Sequence, residues 1–340
     1  MTTAMNQTRK SVVLRTRPTG EPRAEDFDVV EEPMPRPGHG EVLTRTIFLS
    51  LDPYMRGRLI DRKSYVPPIK LGEVMEGGTV GEVLASADPG FSPGELVLGA
   101  RGWQTHCLAP AKLLVKLDKH GPRASAYLGV LGMPGTTAYS GLKDIGRVKA
   151  GETVVISAAS GPVGSVAGQL AKRAGARVVG IAGGAEKCLW VQEALGFDDC
   201  VDHRTMDLPG DLAAACPSGI DVYFENVGGA VQAAVFAQLN VFARVIMCGM
   251  VAEYNEPRPR PGPNLMFVVG KRVHIEGLIV SDKPERFAEW RALAAPWVAD
   301  GSLKFRETVI DGLENAADGL AQLLRGGNFG KMLVRVGPDP

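Results

Sequence analysis

Two short stretches hold residues whose types and spacing suit one kind of chemistry. The first is Ala159-Ser160-Gly161-Pro162-Val163-Gly164, a form of the G-x-G-x-x-G pattern with alanine in the first place. Small residues in such a turn let a pyrophosphate approach backbone N–H groups at a helix N-terminus, where the helix dipole favours an anion. The second is Gly183-Gly184, followed by Lys187. An NAD site usually places Asp or Glu about 20 residues past the glycines to bind the ribose hydroxyls. Here glycines stand in that place, and a lysine in the first turn of a helix opposes the helix dipole unless an anion lies in front of it. The 2′-phosphate of NADP is such an anion, so the two stretches together predict a dinucleotide site that takes NADP(H).

Other chemistries find no pattern to support them. Cys107, Cys188, Cys200, Cys216 and Cys248 are scattered singly, with no C-x-x-C pair. His39, His106, His120, His203 and His274 show no H-x-x-x-H spacing. Cys107 follows His106 without a second thiolate nearby in sequence, so no metal site is expected. A G-x-S-x-G elbow for a serine hydrolase is also missing.

The glycine turn needs a strand before it and a helix after it. Thr153 to Ser157 is a β-branched apolar run of the kind buried on both faces of a parallel sheet. The next segment carries Val166, Leu170, Ala171 and Ala174 on one helical face, with Gly175 where a left-handed cap is expected. Arg177 to Ala182 reads as the second strand. Further strands are expected at Cys200 to Asp202, Val222 to Glu225, Arg244 to Cys248 and Val273 to Val280, with helices including Glu186 to Leu195 and Ala230 to Asn240. Strands alternating with helices in this way predict an α/β fold with a doubly wound parallel sheet. The segment NEPRPRPGPNL, rich in proline, cannot hold regular structure. It follows Cys248-Gly249 at the carboxyl end of a strand, and residues 255–264 read either as a flap over a ligand or as a plain surface linker.

Residues 11–115 have a different texture, with short β-branched runs such as Val12-Val13-Leu14 and Thr79-Val80 broken by glycine and proline. This predicts a partly antiparallel β domain. The tail, with a strand at Leu303 to Ile310, a helix at Glu314 to Leu324 and a strand at Lys331 to Val336, is expected to return to it. The expected domains are therefore 1–130 with 303–340, mainly β, and 131–302, which binds the nucleotide.

Length and charge agree with a two-domain protein acting on small molecules. The chain has 340 residues, 45% of them hydrophobic, and Lys plus Arg balances Asp plus Glu at 38 each. No global field recruits nucleic acid or anionic membrane. An odd number of scattered cysteines suits a reducing compartment. The start, MTTAMNQTRKSVVLRTRP, lacks the apolar core of a signal peptide, and no apolar run is long enough to span a bilayer. A cytoplasmic protein is expected.

Six stretches, LSLDPYMRGR at 49–58, VLGMPGTTAY at 130–139, AASGPVGSVAGQLAK at 158–172, AGGAEK at 182–187, YFENVGG at 223–229 and GNFGK at 327–331, resemble the medium-chain dehydrogenase/reductase superfamily. Within it the chain is similar to the zinc-independent, NADPH-dependent alkenal and enone double-bond reductases, the group of the prostaglandin reductases and bacterial curcumin reductases. DPYMR and ENVGG separate this group from the alcohol dehydrogenases. The resemblance implies a Rossmann domain with a discontinuous, mainly β GroES-like catalytic domain, NADPH as cofactor, no metal, and an enone or alkenal substrate. It also implies a homodimer formed through edge strands, for which Val273 to Val280 is the expected edge.

The same resemblance implies residue roles. Gly161, Pro162, Val163 and Gly164 would hold the pyrophosphate and Lys187 the 2′-phosphate. Asn226, Cys248, Gly249, Tyr254, Asn328 and Gly330 would contact the nicotinamide half or the adjacent ribose and phosphates. Met133, Pro134 and Gly135 would line the nicotinamide pocket. Where several relatives have a tyrosine near the adenosine ribose, this chain has His203.

Reduction of an α,β-unsaturated carbonyl needs hydride at the β-carbon, a donor for the developing enolate oxygen and a proton for the α-carbon. A tyrosine hydroxyl suits the last two roles, being neutral at pH 7 on an apolar ring. Of the six tyrosines, Tyr127, Tyr139 and Tyr223 are expected to pack. Tyr65 lies in the proline-rich loop RKSYVPPIKLGE, where curcumin reductases have a tyrosine, and is the favoured proton donor; Tyr254 is second. Tyr54, Arg56 and Tyr65 are the expected substrate contacts, although Arg56 suits a structural pair with Asp52 as well as a substrate carboxylate. The rival readings are a zinc-independent quinone reductase and a catalytically silent NADPH-binding partner protein.

Overall fold

The computed structural model describes residues 8–99, 102–258 and 260–339. They form two compact units. One comprises the chain up to Leu128 with Glu307–Asn328 and the residues from Met332 onward; the other comprises Gly129–Arg306 and Phe329–Lys331.

In the first unit, β1 (Thr8–Leu14) and β2 (Phe27–Pro33) form an antiparallel pair. A larger sheet is built on β3 (Glu41–Ser50), whose run EVLTRTIFLS is buried along most of its length. It continues through β4 (Thr79–Ser86), β5 (Leu96–Gly99), β6 (His106–Pro110) and β7 (Val115–Lys116). The short helix α1 (Met55–Arg58) follows β3.

The second unit opens with helix α2 (Met133–Ser140), continued by a π-helical turn at Gly141–Gly146. Its six-stranded parallel sheet contains β8 (Thr153–Ser157), β9 (Arg177–Ala182), β10 (Asp199–Asp202), β11 (Ile220–Glu225), β12 (Leu239–Met247) and β13 (His274–Gly277) in the spatial order β10-β9-β8-β11-β12-β13. The order reverses at β8, as in a doubly wound sheet, and places the carboxyl ends of β8 and β11 side by side. The helices are α3 (Gly164–Arg173), α4 (Ala185–Glu193), α5 (Leu208–Ala215), α6 (Gly229–Gln238), α7 (Met266–Lys271) and α8 (Glu285–Ala299). Every residue of β8 is buried, as an apolar run covered on both faces requires. Returning to the first unit, β14 (Glu307–Asp311), α9 (Ala316–Leu324) and β15 (Lys331–Arg335) close the chain, and β15 pairs antiparallel with β3, Leu333 opposite Ser50.

Four expectations change in detail, the first being the tail strand, which runs Glu307–Asp311 rather than Leu303 to Ile310. The buried face of α3 is Val166, Ala167 and Ala171, while Ala174 lies exposed at the C-cap, where the chain turns into Gly175 at φ +82°. Strand β12 begins at Leu239, inside the stretch expected to be helical, because Leu239 pairs with Ile220 and Phe242 then takes φ +63° to restore the register. The edge strand is only His274–Gly277 rather than Val273 to Val280; it pairs on one side alone, and the chain bends away into a 3₁₀ turn at Val280–Asp282. Among its described residues, the segment 255–264 carries no helix or strand. No helix among the described residues is long and apolar enough to cross a membrane.

Candidate active site

The turn after β8 is held by its own backbone. Ala158 takes φ +50°, its carbonyl accepts from Gly161 N at 2.9 Å, and Gly161 O accepts from Ser165 N at 3.0 Å as α3 begins. A Cβ on Gly164 would lie 2.4 Å from Ala158 O, so the last glycine is required by close backbone approach. Gly330 docks on the same turn: its N donates to Ser160 O at 3.1 Å, its φ is +71°, and a Cβ there would lie 1.9 Å from Arg306 O. Next to it, the Phe329 ring stacks under the Arg306 guanidinium at 4.0 Å and meets Trp190 edge-on at 5.1 Å.

Three basic side chains gather at the end of β9. A Cβ on Gly183 would lie 2.7 Å from His203 Nε2 and 3.4 Å from Arg204 Nε, and one on Gly184 would lie 3.3 Å from Arg204 Nη1. Lys187 is in the first turn of α4. Burial, and then the Arg204 charge, hold both the Lys187 ammonium and the His203 imidazole below their ordinary pKa values. Like charges gathered in this way are relieved by an anion placed among them. The neighbouring Asp202 answers this charge only in part, its carboxylate and the His203 imidazolium favouring one another's charged forms. Asp202 turns its Oδ1 to Gly184 N at 2.9 Å and Arg204 N at 3.0 Å, and these N–H groups keep its carboxyl low although burial pushes it up. A tight backbone turn with no room for a Cβ at Gly164, followed by a cluster of cations, fits the pyrophosphate and 2′-phosphate of NADP(H).

A third group forms where β11 and β12 end. Asn226 donates from N to Ser157 Oγ and from Nδ2 to Ser157 O, each at 2.8 Å. Cys248 N and Gly249 N donate to Glu225 O at 3.0 and 3.1 Å. The Tyr254 hydroxyl accepts from Met250 N at 3.3 Å, and a Cβ on Gly249 would lie 3.0 Å from it. The Cys248 thiol is pushed up to about 12 by burial and by the Glu225 charge.

Met133, Pro134 and Gly135 open α2, with proline in the first turn, where its missing N–H is harmless. A Cβ on Gly135 would lie 1.8 Å from Val130 O and 2.4 Å from Trp290 Nε1. The fully buried Trp290 fixes this corner by donating from Nε1 to Val130 O at 2.7 Å.

The remaining candidates belong to the first unit. Tyr54 stands at the N-cap position of α1, and burial, then the charges of Asp52 and Glu76, raise its pKa. Tyr65 lies on an irregular loop with 61% of its surface exposed, its pKa raised by burial of the remainder. Arg58 pairs with Glu76 in two hydrogen bonds near both phenols. Arg56 is buried and donates from Nε to Gly20 O at 3.0 Å and from Nη2 to Pro18 O at 3.4 Å, which anchors the turn at 18–20. Asn328 is half-buried at the end of the segment Glu307–Asn328.

The structure thus brings together Gly161, Pro162, Val163, Gly164 and Gly330, then Lys187 with His203, then Asn226, Cys248, Gly249 and Tyr254. Sequence reasoning missed Arg204, Trp290 and the Ser157–Glu225 pair. Only Arg204 left a signal, a cation next to His203 just past the third strand.

Similarity to known proteins places the chain in a family. Residues 10–117 match the family described as N-terminal domain of oxidoreductase, and residues 162–300 the family described as zinc-binding dehydrogenase. Among the described residues, no three or more His, Cys, Asp and Glu side chains gather as a metal site. The chain is 49% identical over 333 residues to the NADPH-dependent curcumin reductase of Escherichia coli K12, covering 96% of each chain. It is 38% identical over 336 residues to the 2-alkenal reductase of Nicotiana tabacum, covering 96% of this chain and 97% of that one. Its fold matches the crystal structure of CurA in complex with NADPH from Vibrio vulnificus at a TM-score of 0.92 and 45% identity, covering 97% of this chain and all of that one. The chain belongs to the medium-chain dehydrogenase/reductase superfamily and, within it, to the NADPH-dependent alkenal and enone reductase group.

Proposed function

We propose that this enzyme reduces the carbon–carbon double bond of α,β-unsaturated ketones and aldehydes with NADPH. The observation that carries the cofactor half is the gathering of Lys187, His203 and Arg204 at Gly183-Gly184, beyond a turn with no room for a side chain at Gly164. The substrate half is supported by relatives named for curcumin, a conjugated enone, and for 2-alkenals, which are α,β-unsaturated aldehydes.

Bound NADPH supplies the hydride, two electrons and one hydrogen to the β-carbon. The rest falls to the chain. The Gly161–Gly164 turn holds the pyrophosphate, and Lys187 with Arg204 and His203 selects the 2′-phosphate. Asn226, Cys248, Gly249 and Tyr254 orient the nicotinamide half, and Met133, Pro134 and Gly135 wall it. As the carbonyl oxygen gains charge, Tyr65 donates a hydrogen bond and the α-carbon takes up a proton, so NADPH, a proton and an enone yield NADP⁺ and the saturated ketone. A phenol whose pKa is raised stays protonated and keeps its donor at neutral pH.

The reading includes a homodimer in the cytoplasm. The exposed Ile275 on the edge strand, with Leu265, Met266 and Val269 just before it in sequence, supports the first, and the fact that none of the five cysteines forms a disulfide supports the second. The test is NADPH oxidation against a panel of linear enones, 2-alkenals and 1,4-naphthoquinone. Turnover of enones and alkenals above that of the quinone is expected. Preference for the quinone would make the enzyme a quinone reductase, and NADPH binding without turnover of any electron-poor alkene would make it a binding protein.

A further inference from the structure

Glu225 ends β11, is completely buried, and has no part in the roles assigned so far. Its Oε1 accepts from Ser157 Oγ at 3.0 Å, Val227 N at 2.7 Å and Gly228 N at 3.1 Å. The fully buried Tyr223 hydroxyl lies beside it. No Lys, Arg or His among the described residues forms an ion pair with it. Burial holds this carboxyl above the ordinary carboxylate range, although the N–H groups of Val227 and Gly228, and then the Tyr223 and Ser157 hydroxyls, favour its ionised form. A glutamine Oε1 would accept the same three bonds. Hydrogen bonding therefore accounts for the oxygen but not for a charge that is costly to bury without a counter-ion.

The surroundings supply a reason for the charge. Asn226 is the next residue, and Cys248 and Gly249 both donate to the Glu225 carbonyl. These three residues are the ones proposed above at the nicotinamide half, and the inference rests on that reading. The field of Glu225 is felt there, since it helps to raise the Cys248 thiol. A nicotinamide ring is neutral in NADPH and positively charged in NADP⁺. We propose that Glu225 is a fixed buried anion that favours NADP⁺ over NADPH in this pocket and so makes the bound cofactor a stronger hydride donor. A charge held in a low-dielectric interior acts further than it would in water and costs no reorganisation when the ring charge appears.

The test needs no substrate. Dissociation constants for NADP⁺ and NADPH are measured by calorimetric titration on wild-type protein, Glu225→Gln, Glu225→Asp and Asn226→Ala. In Glu225→Gln the ratio Kd(NADP⁺)/Kd(NADPH) should rise about tenfold, which is about 30 mV for a two-electron couple. Glu225→Asp keeps the charge and should stay within about twofold of wild type. A ratio unmoved in Glu225→Gln, while Asn226→Ala weakens binding of both forms, overturns the role of the charge and leaves the pocket assignment standing. If Asn226→Ala also leaves both constants unchanged, the pocket assignment itself fails and takes the inference with it. Should Glu225→Gln not fold, wild-type protein labelled with ¹³Cδ-glutamate decides the matter. The signal missing from Glu225→Asp must sit at the ionised position at pH 7 and shift between the NADP⁺ and NADPH complexes; a protonated position overturns the proposal.

Discussion

The turn at Ala158–Gly164 and the loop around Tyr65 serve the same proposed reaction by opposite means. In the turn the working groups are backbone N–H groups, and the side chains matter chiefly by being small: Ala158 sits at positive φ, and Gly164 has no room for a Cβ. In the loop the proposed working group is one hydroxyl on an exposed side chain, preceded by the exposed Asp61, Arg62, Lys63 and Ser64. Where backbone does the binding, fold and function fail together. Where a side chain does the chemistry, the two come apart.

Substitutions should separate the regions accordingly. Gly164→Val has the largest expected effect, since a side chain directed at Ala158 O must displace the turn. Loss of NADPH affinity of roughly 10²-fold or more, with about 2 kcal/mol or more of stability, is expected and is checked by fluorescence titration and thermal unfolding. Wild-type unfolding together with lost binding would break the claim that the two properties are joined here. Tyr65→Phe should lower kcat roughly 10²-fold with unchanged melting and an unchanged NADPH dissociation constant. Full activity in that variant would remove Tyr65 from the reaction. The smallest effects are expected at the charged side chains proposed to hold phosphate. Lys187→Ala and Arg204→Ala should each weaken NADPH about tenfold, as for a charge-assisted hydrogen bond, and leave NADH nearly unchanged. Equal losses for both cofactors would show that the cluster does not read the 2′-phosphate.

The same contrast governs what could be read from the sequence. Strands β8 and β9 were legible because burial on both faces demands an unbroken apolar run, and the turn between them because few residue types survive its backbone. The start of β12 was not. Gln238-Leu239-Asn240 satisfies a helical period as well as a strand, and pairing with Ile220, a tertiary fact, decides it. Arg204 was missed because an exposed arginine looks the same in sequence whether it faces solvent or a phosphate. Glu225 lay within a matched motif, but its complete burial and its bond to Ser157 depend on two strands meeting far apart in the chain. Gly330 could be assigned only by resemblance, since its contact with Ser160 comes from the opposite end of the sequence.

The return of the tail to β3 sets an order on biosynthesis. Strand β15 pairs with β3 through Leu333–Ser50 and neighbouring residues, so one side of that sheet stays open until residues 331–335 have been made. The parallel sheet from β8 to β13 is by then fully translated. Non-local pairing of this kind is slow, and an unpaired strand edge is prone to misassociation while it waits. A chain truncated just before Met332 should therefore behave as an aggregation-prone intermediate, and a chaperone that shields β3 would act after the parallel sheet has been made.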